Sequence, residues 1–307
     1  MPELPDLTIY IESLQPRVGG RTLEDVRIAS PFILRTVEPD IREAKGKKVK
    51  ALHRVGKRIV FELEDDLFLV VHLMIAGRFH WKKPNASVPK KLGHAAFDFP
   101  TGTLLLTEAS TKKRASLHLV RGRSSLAQFD RGGLEVLDCS LESFGEALTR
   151  ENHTVKRALI DPRLFSAIGN AYSDEILHRA RLSPLKLSRQ LTEEEIERLH
   201  CATNSILHEW IERLRAETGS DFPEKVTAFH KEMAVHGRFG KPCPVCGAKV
   251  QRIVYAENEC NYCPRCQTGG KLLSDRSLAR LLKEDWPKTI DDLESLESKR
   301  SASNIAP

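Results

Sequence analysis

Four cysteines, Cys243, Cys246, Cys263 and Cys266, form two Cys-x-x-Cys pairs separated by sixteen residues. Zinc ribbons use this arrangement. Each short turn offers two thiolates at neighbouring corners of a tetrahedron, and a hairpin between the pairs brings the corners together. The intervening run KVQRIVYAENECNY reads as such a hairpin, so the spacing predicts one structural Zn2+. Cys260 has no partner at ligand spacing and reads as a bystander or a weak rival to Cys263. Cys139 and Cys201 read as ordinary buried thiols.

A second chemically unusual group stands at the start. Pro2 follows Met1, and a small second residue is the kind whose initiator methionine is removed. Pro2 would then carry a free secondary amine. An α-amino group has an unperturbed pKa of roughly 8, against roughly 10.4 for lysine, so a useful fraction is neutral and nucleophilic near pH 7. Condensation with a sugar aldehyde carbon gives an iminium ion, an electron sink for elimination at the neighbouring carbon. Glu3 beside it can act as general acid or base if burial raises its pKa. The same two residues are also good helix-start residues, and taken alone they favour that role.

These groups must be held by the elements between them. Leu7, Ile11, Leu14 and Val18 recur at helical spacing and predict an amphipathic first helix. From Lys48 to Phe129 the texture is short strands. RIVFEL and LFLVVHL flank Glu64-Asp65-Asp66, while AAFDF and TLLLTEA flank Pro100-Thr101-Gly102, which predicts hairpins of an antiparallel sandwich or barrel. A Gly-rich, polar connection runs from Arg131 to Gly145, followed by helix to about Met233. There Thr192 and Glu195 form a capping box ahead of a long helix with Leu199, Ile206, Leu207, Trp210 and Leu214 on its core stripe. SLARLLKEDW predicts a last short helix, and SKRSASNIAP predicts disorder. No internal repeat is present.

Composition suits a reduced chain that faces nucleic acid. The 48 basic and 42 acidic residues leave a net charge of +6, so distribution outweighs total. Residues 109–129 carry Lys112, Lys113, Arg114, Arg121 and Arg123 with no acid, whereas Asp291, Asp292, Glu294 and Glu297 cluster near the end. Lys112 to Arg114 read either as part of a DNA-facing basic surface or as a solvated charged loop. The 307 residues, 40% hydrophobic, suffice for two domains and a metal module. With no signal-like start and no apolar run of membrane length, the expectation is a cytoplasmic protein.

MPELPDL at the start, Gly56-Lys57 entering the first hairpin, VKRALIDPRLFSAIGNAYSDEIL, HGRFGKPCPVCG and YCPRCQ resemble, in that order, the formamidopyrimidine-DNA glycosylase and endonuclease VIII family. The resemblance spans nearly all of residues 1–270. It implies an α+β multidomain fold: an N-terminal helix with an antiparallel β-sandwich (1–130), a helix-two-turn-helix domain (131–235), a zinc ribbon finger (236–270) and a partly disordered extension (271–307). It also implies a monomeric DNA repair enzyme that excises oxidised bases from double-stranded DNA and cleaves the abasic strand by β/δ-elimination. By position, Pro2 resembles the nucleophile, Glu3 the acid that protonates the deoxyribose ring oxygen, and Lys57 the hairpin lysine that contacts phosphate and assists catalysis. Lys156, before the helix-two-turn-helix, and Asn170, at a helix start after the tight turn allowed by Gly169, match phosphate contacts.

The lesion-reading positions depart from the family pattern. His72-Leu73-Met74-Ile75 stands where the family has HLGM, which puts Ile75 at the position that plugs the gap left by a flipped base. Ser110-Thr111-Lys112-Lys113-Arg114-Ala115 replaces Asp-Pro-Arg-Arg-Phe-Gly, so the phenylalanine wedge is missing. Asn258 falls at the position of the zinc-hairpin arginine and cannot make its bidentate charged contact. The loop GSDFPEKVT is short beside the one that covers oxidised purines. These changes leave two further readings open: an enzyme acting mainly on abasic sites, and a zinc-dependent binder of damaged or kinked DNA that does not cut.

Overall fold

Leu7, Tyr10, Leu14 and Val18 all lie on the buried side of helix α1 (Leu4–Val18). In the computed structural model, which describes residues 1–255, 258–273, 280 and 287–303, this helix belongs to the first of two compact units. That unit comprises Met1–Gly133 with Leu207–Ala228, and the second comprises Leu134–Ile206 with Phe229–Pro307.

The first unit is a sandwich of two four-stranded antiparallel sheets. Strands β1 (Asp25–Ile28), β5 (Gly77–Lys82), β6 (Gly93–Phe99) and β7 (Gly102–Glu108) form one sheet in the order β1-β6-β7-β5. Strands β2 (Val49–Val55), β3 (Arg58–Leu63), β4 (Leu67–His72) and β8 (Ser116–Arg121) form the other in sequential order. Side chains alternate across a strand, and here both faces of the second sheet are used. Ile59, Phe61, Leu69, Val71, Leu117 and Leu119 join the core shared with α1. Val60, Phe68, Val70 and Val120 pack on Leu126 and Phe129. Those two belong to the 3-10 segment Arg123–Phe129. Both expected hairpins are present, with β3 paired to β4 and β6 to β7. Tyr10 fixes α1 on β5 through an edge contact to Phe79 at 5.7 Å and by accepting the Phe79 N–H at 3.4 Å.

The second unit contains α2 (Leu141–Thr149), α3 (Val155–Ile160) and α4 (Asn170–Arg179), the hairpin β9 (Gln251–Tyr255) and β10 (Asn258–Tyr262), and the short α6 (Pro264–Thr268). The long helix α5 (Glu193–Thr218) supplies residues to both units and begins at the expected box, where Thr192 and Glu195 exchange hydrogen bonds. No helix among the described residues is long and apolar enough to cross a membrane.

Some expectations are corrected. Helix α2 starts inside the supposed polar connection, because Ser140 caps it by accepting from the Ser143 N–H at 3.1 Å. Regular helix ends at Thr218 rather than near Met233. Cys201 is exposed, off the buried stripe of α5, and Cys139 is half-buried. A final helix, Ile290–Ser303, occupies part of the run expected to be disordered. Its start is fixed by Thr289 and Asp292, which cap each other. SLARLLKEDW lies outside the described residues apart from Arg280.

Candidate active site and metal centre

In the first unit the sequence folds the chain start inward. Glu3 is the N-cap of α1, and its N–H donates to Asp6 Oδ2 at 2.8 Å. Pro2 is buried, and Glu3 and Asp6 are each 3% exposed. Burial pushes the α-amine at Met1 below its ordinary value; Glu3 and Asp6 oppose the shift, while Arg78 and Lys57 add to it. These influences place an amine, two carboxyls and two cations in one electrostatic neighbourhood. The net effect favours the neutral amine, the form that attacks carbon. Lys57 reaches this neighbourhood from the two-residue turn between β2 and β3, where Gly56 has φ +56°. A two-residue hairpin needs such a residue at its first position.

Asp6 and Arg78 were missed by sequence reasoning. Burial pushes the Asp6 carboxyl up to about 7, opposed by the hydrogen bond from Glu3 N–H. It is therefore only about half ionised at neutrality, one helical turn from Pro2. The acid three residues after a cap residue was the available signal. Arg78 donates to the carbonyls of Ile75 (3.1 Å), Gly77 (2.6 Å) and Val226, which ties the turn after β4 to the short loop after α5. Glu224 of that loop also meets His80 and Lys82 on β5.

Ile75 is 55% exposed in that turn. The turn closes through Gly77 N–H to Leu73 O at 2.8 Å, and a Cβ on Gly77 would lie 2.2 Å from that oxygen. Met74, with φ +52°, takes the left-handed position. The basic run Lys112, Lys113 and Arg114 is exposed, but it is organised from beneath. Buried Glu108 accepts from the N–H groups of Arg114 (2.9 Å) and Ala115 (3.3 Å) and meets His94 Nε2 at 3.2 Å. Lys113 folds back to donate to Glu108 O. No phenylalanine stands in this loop.

In the second unit Lys156 differs from expectation. Its ammonium is buried and donates to Asp174 Oδ1 (2.6 Å), Ser173 Oγ (2.8 Å) and Asn170 O (2.7 Å). A cation with three internal acceptors is not presented to a phosphate; it neutralises Asp174. Asn170 Nδ2 donates to Glu259 O at 2.8 Å, and so joins the start of α4 to the zinc hairpin. The left-handed residue of the turn before α4 is Ala167 (φ +62°), whereas Gly169 is extended (φ −129°). Asn258 pairs with Tyr255 at the start of β10, and its side chain lies outside the described part of the structure.

The four cysteines expected to bind zinc lie close in two cross-pairs. Cys243 Sγ lies 3.9 Å from Cys266 Sγ, and Cys246 Sγ lies 3.4 Å from Cys263 Sγ. These are opposite edges of a four-sulfur set, and a tetrahedron with Zn–S near 2.3 Å has edges of about 3.8 Å. The donor set therefore fits zinc, whose binding would tie the two knuckles together. His178 of α4, which spacing could not reveal, joins Cys243, Cys263 and Cys266 with ligand atoms all within 4.8 Å of one another. Cys260 is buried on β10, apart from this group.

Comparison with known proteins agrees with this architecture. The formamidopyrimidine-DNA glycosylase N-terminal domain matches residues 1–115, the H2TH domain of the same enzyme matches 135–221, and the zinc finger found in FPG and IleRS matches 240–269. The formamidopyrimidine-DNA glycosylase of Desulfitobacterium hafniense is 33% identical over 279 residues, covering 87% of this chain and all of that protein. The Lactobacillus helveticus enzyme is 31% identical over 276 residues, covering 87% and 99%. Among solved structures, Lactococcus lactis Fpg in complex with abasic-site DNA superposes with a TM-score of 0.77 at 27% identity, covering 87% of this chain and 99% of that one. MutM in complex with DNA containing carbocyclic 8-oxo-G gives 0.77 at 28%, covering 87% and 100%. The chain belongs to the formamidopyrimidine-DNA glycosylase (Fpg/Nei) family. It is thereby grouped with DNA repair glycosylase-lyases that act on oxidised bases and abasic sites.

Proposed function

We propose that this protein is a bifunctional DNA glycosylase and abasic-site lyase, acting as a cytoplasmic monomer on double-stranded DNA, with Pro2 as its nucleophile. The observation that carries the reading is the buried chain start: Pro2 is buried, and the Met1 amine next to it shares its surroundings with Glu3, Asp6, Lys57 and Arg78. With Met1 removed, the Pro2 nitrogen attacks C1′ of the damaged nucleotide and displaces the base, which leaves with the proton that the nitrogen sheds; Glu3 protonates the ring oxygen, the C1′–O4′ bond opens, and the nitrogen lone pair forms the C1′ iminium. The resulting iminium ion draws electrons from C2′. Loss of a C2′ proton then breaks the C3′–O bond and nicks the strand. Lys57 contributes positive charge toward the phosphate beside the lesion. Asp6, about half protonated at pH 7, can return a proton that Glu3 has given up.

The lesion spectrum follows from the altered reader. Lys112, Lys113 and Arg114 supply charge where a wedge would supply stacking, and the loop carrying Glu224 and Val226 is clamped to β5. An abasic site needs little unstacking. We therefore expect cleavage at abasic sites to exceed excision of oxidised guanine. A panel of duplexes with defined lesions tests both points. Excision of oxidised guanine opposite cytosine as fast as abasic cleavage would refute the spectrum, and tight binding to damaged duplex without nicking would favour the non-cutting binder.

A further inference from the structure

Groups at every fourth residue along and just beyond α4 hold the zinc module at successive points: β10 twice, then the first cysteine turn, then α6. Asn170 Nδ2 donates to Glu259 O at 2.8 Å. Asp174 accepts from Asn261 N–H at 3.1 Å and from His236 Nδ1 at 2.8 Å. His178 Nε2 lies 3.3 Å from Cys243 Sγ. Leu182 O accepts from Gln267 Nε2 at 2.9 Å, and Gln267 Oε1 accepts from Cys263 N–H at 2.8 Å. Asn170, Asp174 and His178, four apart, share one face of α4, and Leu182, just past its end, extends the seam. Only its third rung ends on a candidate zinc ligand atom.

We infer that His178 is a positioning residue of the zinc site: its Nε2–H donates to the Cys243 thiolate and makes the metal and α4 one cooperative unit. Zinc held by four thiolates carries a net charge of −2, and N–H donors to the sulfurs offset that excess. His178 can serve because it is 7% exposed and therefore shielded from competing water. It stands outside the coordination sphere, since Cys243, Cys246, Cys263 and Cys266 already furnish the two opposite edges of a tetrahedron and structural zinc takes four ligands. The consequence differs from that of a free-standing ribbon: metal loss should loosen α4 as well as the finger.

The test uses the full-length protein. Cobalt substitution should give a four-thiolate spectrum in the wild type and in His178→Phe alike. Zinc transfer to a chromophoric chelator should be about tenfold faster or more in His178→Phe, the range seen when outer-sphere partners are removed. It should stay near the wild-type rate in His178→Gln, whose amide can still donate. Metal removal from the wild type should accelerate amide exchange within α4. Mixed nitrogen and sulfur ligation in the wild-type cobalt spectrum would make His178 a ligand and overturn the inference. So would unchanged zinc transfer in His178→Phe, or α4 protection indifferent to metal. Should His178→Phe fail to fold, His178→Ala is the substitute non-donor, and the wild-type spectrum and exchange still decide.

Discussion

Replacing Asp6 by Asn probes the most perturbed acid beside the chain start. Burial raises the carboxyl from an ordinary 3.8 to about 7. At 1.36 kcal/mol per unit, ionising Asp6 in the folded protein costs on the order of 4 kcal/mol more than in the unfolded chain. The native state thus binds a proton between pH 3.8 and about 7 that the unfolded state has released. Stability from this group is therefore fully present below 3.8 and is lost as pH rises through about 7. Asn keeps an oxygen for Glu3 N–H and cannot ionise. Urea denaturation of wild type and Asp6→Asn across pH 4 to 8 should show the wild type losing roughly 4 kcal/mol relative to the variant as pH rises. If Asp6 is also the proton reservoir of the site, the pH profile of abasic cleavage should lose a limb near 7 in the variant. A stability difference flat across pH 4 to 8 would show that Asp6 is already ionised in the fold and that its pKa is not raised.

Three other outcomes follow from the same geometry. Cys263→Ser should lose zinc and DNA affinity together, by metal analysis and binding titration, whereas Cys260→Ser should keep both. Structural zinc supplies roughly 10 to 16 kcal/mol of folding free energy in small modules. Lys156→Ala leaves Asp174 buried without its cation and should cost about 3–5 kcal/mol in denaturant midpoint analysis, with no change in the salt slope of DNA binding. A slope shallower by about 0.9 would instead restore Lys156 as a phosphate contact. Ile75→Ala should leave stability intact but forfeit about 2 kcal/mol of apolar burial in the gap, so excision of an intact damaged base should fall roughly thirtyfold while cleavage of a preformed abasic site changes little.

The first helix, both sandwich hairpins and the ribbon were legible because each repeats a short-range pattern: apolar spacing over Leu7 to Val18, alternation around Glu64-Asp65-Asp66, and paired Cys-x-x-Cys turns. What stayed hidden is made by contacts distant in sequence. His178 meets Cys243 across 65 positions, Glu175 accepts from the N–H groups of Ala234, Val235 and His236, and Arg78 reaches Val226. The burial of Lys156 was hidden for the same reason. In sequence it is one lysine beside a helix, and only the fold places Asp174, eighteen residues on, at its ammonium. Asp6 is the instructive intermediate case, since its spacing from Glu3 was visible but its burial, and hence its raised pKa, depended on the packing of α1.

Borohydride trapping on abasic duplex DNA decides whether Pro2 is the nucleophile. The imine or iminium formed during strand cleavage should be reduced to a stable covalent adduct, and peptide mapping by mass spectrometry should place it on Pro2 of protein lacking Met1. An N-terminal extension should abolish the adduct, because a blocked proline nitrogen cannot condense. Strand cleavage with the adduct on Lys57, or no adduct from zinc-replete protein with Pro2 as its first residue, would contradict the account.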